Sequence, residues 1–205
     1  MIHVIGIGPG SKDYLTDEAR RQIQVHPVII GVERQLETVK TDLSPDAVAI
    51  PYNGRLDALK NCIENHINQP SLGILASGDP SFYGITEWLK RTFDPEKIVI
   101  HPGISSTQLL FAKTKTPMHD FYMTSLHGRT DALESLDQYQ KLCLLTDKIC
   151  SPYFIAKHFL ERGQNPKMII GESLSYDDEC ITEILASEIE DRDYKMSVVI
   201  VIHER

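Results

Sequence analysis

An α/β fold in two domains is what this sequence predicts, and three observations predict it. Short apolar runs alternate with stretches of helical spacing through the first half of the chain, the pattern of a mostly parallel sheet. Two of those runs, over 2–7 and 72–76, stop at loops with little side-chain bulk, reading IGIGPG and SGDP. The texture then changes at 114–117, where Thr-Lys-Thr-Pro forms a polar link. That link divides a first domain over 1–113 from a second over 118–205. Ligands of open α/β sheets bind beyond the carboxyl ends of the strands. Two glycine-rich strand ends therefore point to a small-molecule cleft.

Each element has its own warrant. The first strand runs over 2–7. Thr16 is a suitable helix N-cap, with Asp17 and Glu18 in the first turn to match the helix dipole. A second strand follows over 28–31, and a third over 48–50 closed by Pro51. Leu56, Leu59, Ile63 and Ile67 recur at helical spacing. The run over 72–76 is apolar on both faces, as a central strand must be. A helix over 82–89, a strand over 98–100 and a helix over 106–112 complete the first half. The second half opens with a strand over 121–125, a helix near 131–139 and a strand over 142–146. Ser151 and Pro152 supply the N-cap and first position of a helix running to Arg162, with Gly163 as its C-cap. A strand over 168–171 follows. The runs over 180–186 and 196–202 have no long helix between them, so they are expected to pair antiparallel.

Bulk properties exclude several classes. Of 205 residues 41% are hydrophobic and 24% charged, which suits a globular protein with a real core. The net charge is −8, and Lys113 and Lys115 belong to no basic run, so no nucleic-acid partner is expected. No apolar run approaches the roughly 20 residues of a membrane span. A strand that begins at Ile2 leaves no room for a signal peptide, and the expected location is the cytoplasm. Cys62, Cys143, Cys150 and Cys180 form no CxxC pair and have no histidine at zinc-site spacing. They read as buried or partly buried thiols. Asp177, Asp178 and Glu179 read as a solvated acidic turn, and no metal is expected.

The motifs carry different weights. Gly6, Gly8 and Gly10 follow a strand, but Ser11 stands where a dinucleotide fingerprint needs its last glycine. Pro9 also lacks an N–H that a pyrophosphate would use. A nicotinamide site, and with it an oxidoreductase, is thereby disfavoured. No Gly-Lys pair occurs, so there is no P-loop. Asp79, at the mouth of a buried strand, is either a helix cap or a ligand group. Ser105 and Ser106 open a helix as caps or as ligand contacts. His127 and Arg129 sit in SLHGR, where a turn histidine can move protons and an arginine can grip a carboxylate. Alone, each has a bland surface reading.

Taken together and in order, GIGPG over 6–10, GDP over 78–80 and PGISS over 102–106 resemble the tetrapyrrole (corrin/porphyrin) methylase family. The resemblance runs along nearly the whole chain. A narrower likeness rests on ASGDPSFYG over 76–84, PGISSTQ over 102–108, SLHGR over 125–129, LTD over 145–147 and GESLSY over 171–176. It is to those members that methylate carbon 5 of a cobalt-precorrin in cobalamin biosynthesis, in their free-standing form.

The resemblance implies two α/β domains with a cofactor cleft between them, the second sheet being mixed. It implies S-adenosylmethionine as methyl donor and S-adenosylhomocysteine as product. It places the cofactor against Pro9, Ser77, Gly78, Asp79, Phe82, Ser105 and Ser106 of the first half, and against Leu126, Thr146 and Leu174 of the second. A homodimer and a separate partner for carbon-15 methylation and decarboxylation are also implied. The substrate would be a many-carboxylate tetrapyrrole, so an acidic protein must use local cations, for which Arg129, Lys12 and Arg55 are the candidates. His127 is the candidate base. The alternatives are another precorrin, a diphthamide precursor as acceptor, or a nucleotide-binding module without catalysis.

Overall fold

A computed structural model describes residues 1–126, 133 and 136–203. The chain packs as two compact units, Met1–Ser105 and Ser106–Arg205. Among the described residues no helix is long and apolar enough to cross a membrane.

The first unit holds a five-stranded parallel sheet. Its strands are β1 (Ile2–Gly6), β2 (Val28–Val32), β3 (Val48–Tyr52), β4 (Leu72–Ala76) and β5 (Ile98–His101), in the order β3-β2-β4-β1-β5. Helices α1 (Asp17–Val25), α2 (Glu33–Val39), α3 (Leu56–His66) and α4 (Thr86–Thr92) connect them. Strand residues alternate between two cores. Val4, Ile30, Leu72 and Ile74 pack with Leu59 and Ile63 of α3 and Leu89 of α4. Ile5, Ile29 and Leu75 pack with Ala19 and Ile23 of α1 and Leu36 and Val39 of α2. Strand β4 is buried along its whole length in the middle of the sheet, as its unbroken apolar run requires.

Several elements differ from expectation. Helix α2 has no counterpart in the reading of the sequence. Pro51 lies within β3 and not beyond it; β3 is the edge strand, where a missing N–H costs no ladder bond. The helix expected over 82–89 starts at Thr86. Pro80 O accepts from the Thr86 amide at 3.3 Å and from its hydroxyl at 2.7 Å, and Tyr83 takes a positive φ of 53°. The chain thus makes an extra turn before the helix can begin.

The second unit begins with α5 (Ser106–Lys113), a helix expected in the first domain. It packs on the second sheet: Cys143 lies 3.8 Å from Thr107 Oγ1, and Leu110 rests on Gly171. That sheet contains β6 (Tyr122–Ser125), β7 (Lys141–Leu145), β8 (Lys167–Glu172), β9 (Cys180–Leu185) and β10 (Ser197–Ile202), in the order β6-β7-β10-β8-β9. Strands β6 and β7 are parallel and the other pairs antiparallel, so the sheet is mixed. The expected pairing of the last two runs is corrected: β10 inserts between β7 and β8, and β9 pairs with β8 alone. Insertion buries β10 on both sides, which its SVVIVI sequence rewards.

Helix α6 (Pro152–Leu160) starts as the sequence indicates, with Ser151 Oγ accepting from Phe154 N at 3.2 Å. It ends before Arg162, and Gly163 terminates it at φ 73°. Of the helix expected near 131–139, residues 131, 132, 134 and 135 lie outside the described residues. Cys143 and Cys150 are buried and Cys62 is half-buried, but Cys180 is exposed, against expectation. Burial pushes the Cys143 thiol up to about 12, so it stays protonated and inert.

Candidate functional site

Three loops meet at the carboxyl edge of the parallel sheet. Gly8 N donates to Gly78 O at 3.3 Å, and Gly78 N donates to Gly8 O at 2.6 Å. This two-bond bridge joins the loop after β1 to the loop after β4. Gly103, in the loop after β5, fits against both. A Cβ on Gly103 would lie 2.2 Å from Gly78 O and 2.8 Å from Gly6 C. A Cβ on Gly6 would lie 2.6 Å from Gly103 N. The glycines are therefore there for close backbone approach. Gly78 differs, since a Cβ there would meet nothing nearer than Ser105 Cα at 3.6 Å. The space above Gly78, beside the buried Ser105, is where a ligand can approach the backbone.

Asp79 locks this arrangement. Its Oδ2 accepts from Gly103 N at 3.1 Å and its Oδ1 from Ser81 N at 2.7 Å. It does not cap α4, which begins at Thr86. Asn at 79 would turn an amide NH2 toward one of these two N–H donors. Asp79→Asn is expected to cost about 1–3 kcal/mol, the range for stranding a partly buried donor. Urea unfolding measures this, and an unchanged midpoint would contradict the assigned role.

Helix α2 fastens the same edge. Ser77 Oγ accepts from Gln35 Nε2 at 3.1 Å and from Arg34 Nη2 at 3.3 Å. Gln35 Oε1 accepts from Val32 N at 3.0 Å, which caps the helix from within. Thr38 Oγ1 lies 3.1 Å from Gly10 O and 3.0 Å from Arg34 O, so its single hydroxyl proton is shared between the first glycine loop and its own helix. Sequence reasoning missed Arg34, Gln35 and Thr38. The signal was the Leu36 and Val39 spacing after β2, read without a conventional N-cap.

The sequence-predicted residues are distributed as follows. Pro9 is buried within the first loop, and Ser77, Gly78, Asp79 and Ser105 surround the loop junction. Phe82 is half-buried and packs edge-on against Tyr83 at 5.4 Å. Lys12 follows β1 and Arg55 follows β3, both exposed. Arg55 already forms a two-point pair with Asp57, its Nε and Nη2 each at 3.1 Å, which raises its pKa. Ser106 is the first residue of α5.

In the second unit Leu126 is fully buried in the core, and its N–H is spent on Leu145 O at 2.9 Å. Thr146 Oγ1 lies 2.7 Å from both Ser197 O and Ser197 Oγ. Leu174 is buried between two residues of positive φ, Ser173 at 46° and Ser175 at 73°. Both leucine side chains thus lie in the interior. Glu172 secures the turn: Arg192 grips it at 3.0 and 2.6 Å, and Lys195 N donates at 3.0 Å. The arginine beside it holds the Glu172 carboxyl below the usual range. Asp178 pairs with Lys195 at 2.7 Å and Glu179 with Lys113 at 2.6 Å, so two of the three carboxylates of the acidic turn are held by lysines. His127 and Arg129 lie outside the described residues.

Comparison with known proteins gives a consistent set. The sequence model of the Tetrapyrrole (Corrin/Porphyrin) Methylases matches residues 1–190. A cobalt-precorrin-7 C(5)-methyltransferase of Salmonella typhimurium is 32% identical over 206 residues, with 100% of each chain covered. The solved precorrin-6Y methylase of Archaeoglobus fulgidus, a cobalamin biosynthesis protein, aligns with a TM-score of 0.74 at 25% identity, covering 100% of this chain and 99% of that one. A uroporphyrin-III C-methyltransferase of Thermus thermophilus, solved with S-adenosylhomocysteine, aligns with a TM-score of 0.74 at 22% identity, covering 98% and 96%.

Proposed function

Because this chain belongs to the tetrapyrrole (corrin/porphyrin) methylase family, we propose that it is an S-adenosylmethionine-dependent methyltransferase acting on carbon 5 of cobalt-precorrin-7 in cobalamin biosynthesis. The observation that carries the cofactor half of this reading is the junction of the Gly6, Gly78 and Gly103 loops at the carboxyl edge of the parallel sheet. The acceptor half rests on the full-length likeness to the Salmonella enzyme.

The residues present fit the cofactor. The approach above Gly78 is open, while the loops around it are fastened by backbone bonds and by Asp79. S-Adenosylmethionine supplies a methyl group made electrophilic by a positive sulfur. Pro9, Ser77, Gly78, Asp79, Phe82, Ser105 and Ser106 would hold it, and Leu126, Thr146 and Leu174 are the proposed cofactor residues of the second unit. An electron-rich ring carbon is the nucleophile, so the protein needs no serine or cysteine nucleophile of its own. Its main contribution is placement; holding two reactants in near-attack geometry supplies about 7–11 kcal/mol. His127 is proposed to take the proton released from the ring. Arg129, with Lys12 and Arg55, is proposed to bind the substrate carboxylates.

Calorimetry with S-adenosylhomocysteine tests the cofactor half, and absence of binding would remove it. Arg129→Ala is expected to raise the KM for the tetrapyrrole by about tenfold or more, the loss of a charged hydrogen bond, with kcat spared. An unchanged KM would take Arg129 out of the substrate site. A separate partner for carbon-15 methylation and decarboxylation is proposed from the family resemblance. A homodimer rests on the family resemblance, and light scattering on the purified protein tests the assembly.

A further inference from the structure

Behind the Gly103 loop, three histidines from distant parts of the first unit come together. His3 Nδ1 lies 3.0 Å from His101 Nε2. The His3 ring is 4.2 Å from that of His26 and 5.3 Å from that of His101, centroid to centroid. His26 is 3% exposed and His101 8%. The outer nitrogens are committed too. His26 Nδ1 meets Ser71 Oγ at 2.9 Å and its Nε2 meets Gln22 Oε1 at 3.2 Å. His101 Nδ1 lies 3.3 Å from Glu18 Oε1, which also accepts from Gln22 Nε2 at 2.9 Å.

The bonding dictates protonation. Gln22 Oε1 can only accept, so His26 carries its proton on Nε2 and accepts the Ser71 hydroxyl at Nδ1. A second proton on His26 would reverse that contact. The charges facing the cluster are Glu18 of α1, itself paired with Arg21 at 2.7 Å, and the ammonium of Met1. Burial, followed by the neighbouring His101 and that ammonium, lowers His3. Burial, followed by His3 and His101, lowers His26 to about 4. Burial thus holds His3 and His26 largely uncharged at neutral pH.

We propose that His101 is a positioning residue for the cofactor loop, and that protonation of His3 or His26 beside it weakens cofactor binding. This rests on the cofactor reading above. His101 ends β5 and is followed by Pro102 and Gly103. Gly103 has no free space on its side facing Gly6 and Gly78. Extra positive charge among rings 4.2 and 5.3 Å apart pushes them from one another. The backbone at 101–103 moves with His101, and the loop junction has no slack to absorb it.

The test is S-adenosylhomocysteine calorimetry on the full chain, near pH 7.5 and near pH 4. The expected result is affinity about twofold weaker at the lower pH, where about half of the His26 rings are protonated and the ligand must displace that proton. In the His3→Gln/His26→Gln variant the pH dependence should flatten. NMR titration of the imidazoles in the wild-type protein, with and without ligand, gives a second readout that needs no variant. By reciprocity, saturation with ligand must lower the pKa of a cluster histidine. Absence of binding near pH 7.5 strikes the cofactor reading itself. Binding whose pH dependence persists in the variant, or imidazole titrations unchanged by ligand, overturns this proposal alone.

Discussion

Gly103→Ala is expected to weaken S-adenosylhomocysteine binding by at least about a hundredfold, or about 2.7 kcal/mol. The added methyl would sit 2.2 Å from Gly78 O, 2.8 Å from Gly6 C and 2.9 Å from Gly6 Cα. All three are backbone atoms, and no rotamer change can clear them. The loops after β1, β4 and β5 must then part, breaking the Gly8–Gly78 bridge or the Gly103–Asp79 bond. Overpacking of this kind costs about 1–3 kcal/mol in stability as well. Gly163→Ala is the control: nothing lies within 4 Å of its Cβ position, but its φ of +73° is strained for alanine. That variant should lose about 1 kcal/mol of stability and keep its affinity. Normal binding by Gly103→Ala would mean that the loop junction does not form the cofactor site.

Acid is expected to destabilise the first unit well before its carboxylates titrate. Unfolded histidine titrates near 6.5, whereas folded His26 is lowered to about 4. Between those values the unfolded chain takes up a proton that the native state refuses. Stability is therefore complete above about pH 6.5, falls as the pH drops toward 4, and levels off below. His26 contributes up to about 3 kcal/mol over this window, and His3, shifted in the same direction, adds to it. Glu172, Glu179 and Asp178 act in a lower window, because their folded values are depressed and their contribution is lost only as they protonate. Urea unfolding at stepped pH measures the profile, and His26→Gln should remove most of the limb above pH 5. A flat profile between pH 7.5 and 5 would contradict it.

The parallel sheet was legible in the sequence because its strands are short apolar runs punctuated by glycine and proline, and β4 is apolar on both faces. Helix α2 was not, since Val32 offers no capping oxygen and the cap comes from Gln35 inside the helix. The place of β10 was hidden for a different reason. Proximity in sequence favours pairing with β9, whereas burial on both sides favours insertion between β7 and β8. For the site, the glycine loops were visible as motifs, but their mutual contact depends on atoms up to 97 positions apart, from Gly6 to Gly103. The histidine cluster is scattered in the same way, His3 and His101 being 98 positions apart. Isolated histidines carry no pattern from which to infer a group.

The most direct test of the central claim is a methyl-transfer assay with purified protein, S-adenosylmethionine labelled on its methyl group, and cobalt-precorrin-7. The product is located by NMR. Label on carbon 5 of the ring is the predicted result. Cofactor binding without transfer to carbon 5 would contradict the assigned acceptor and leave the family assignment standing.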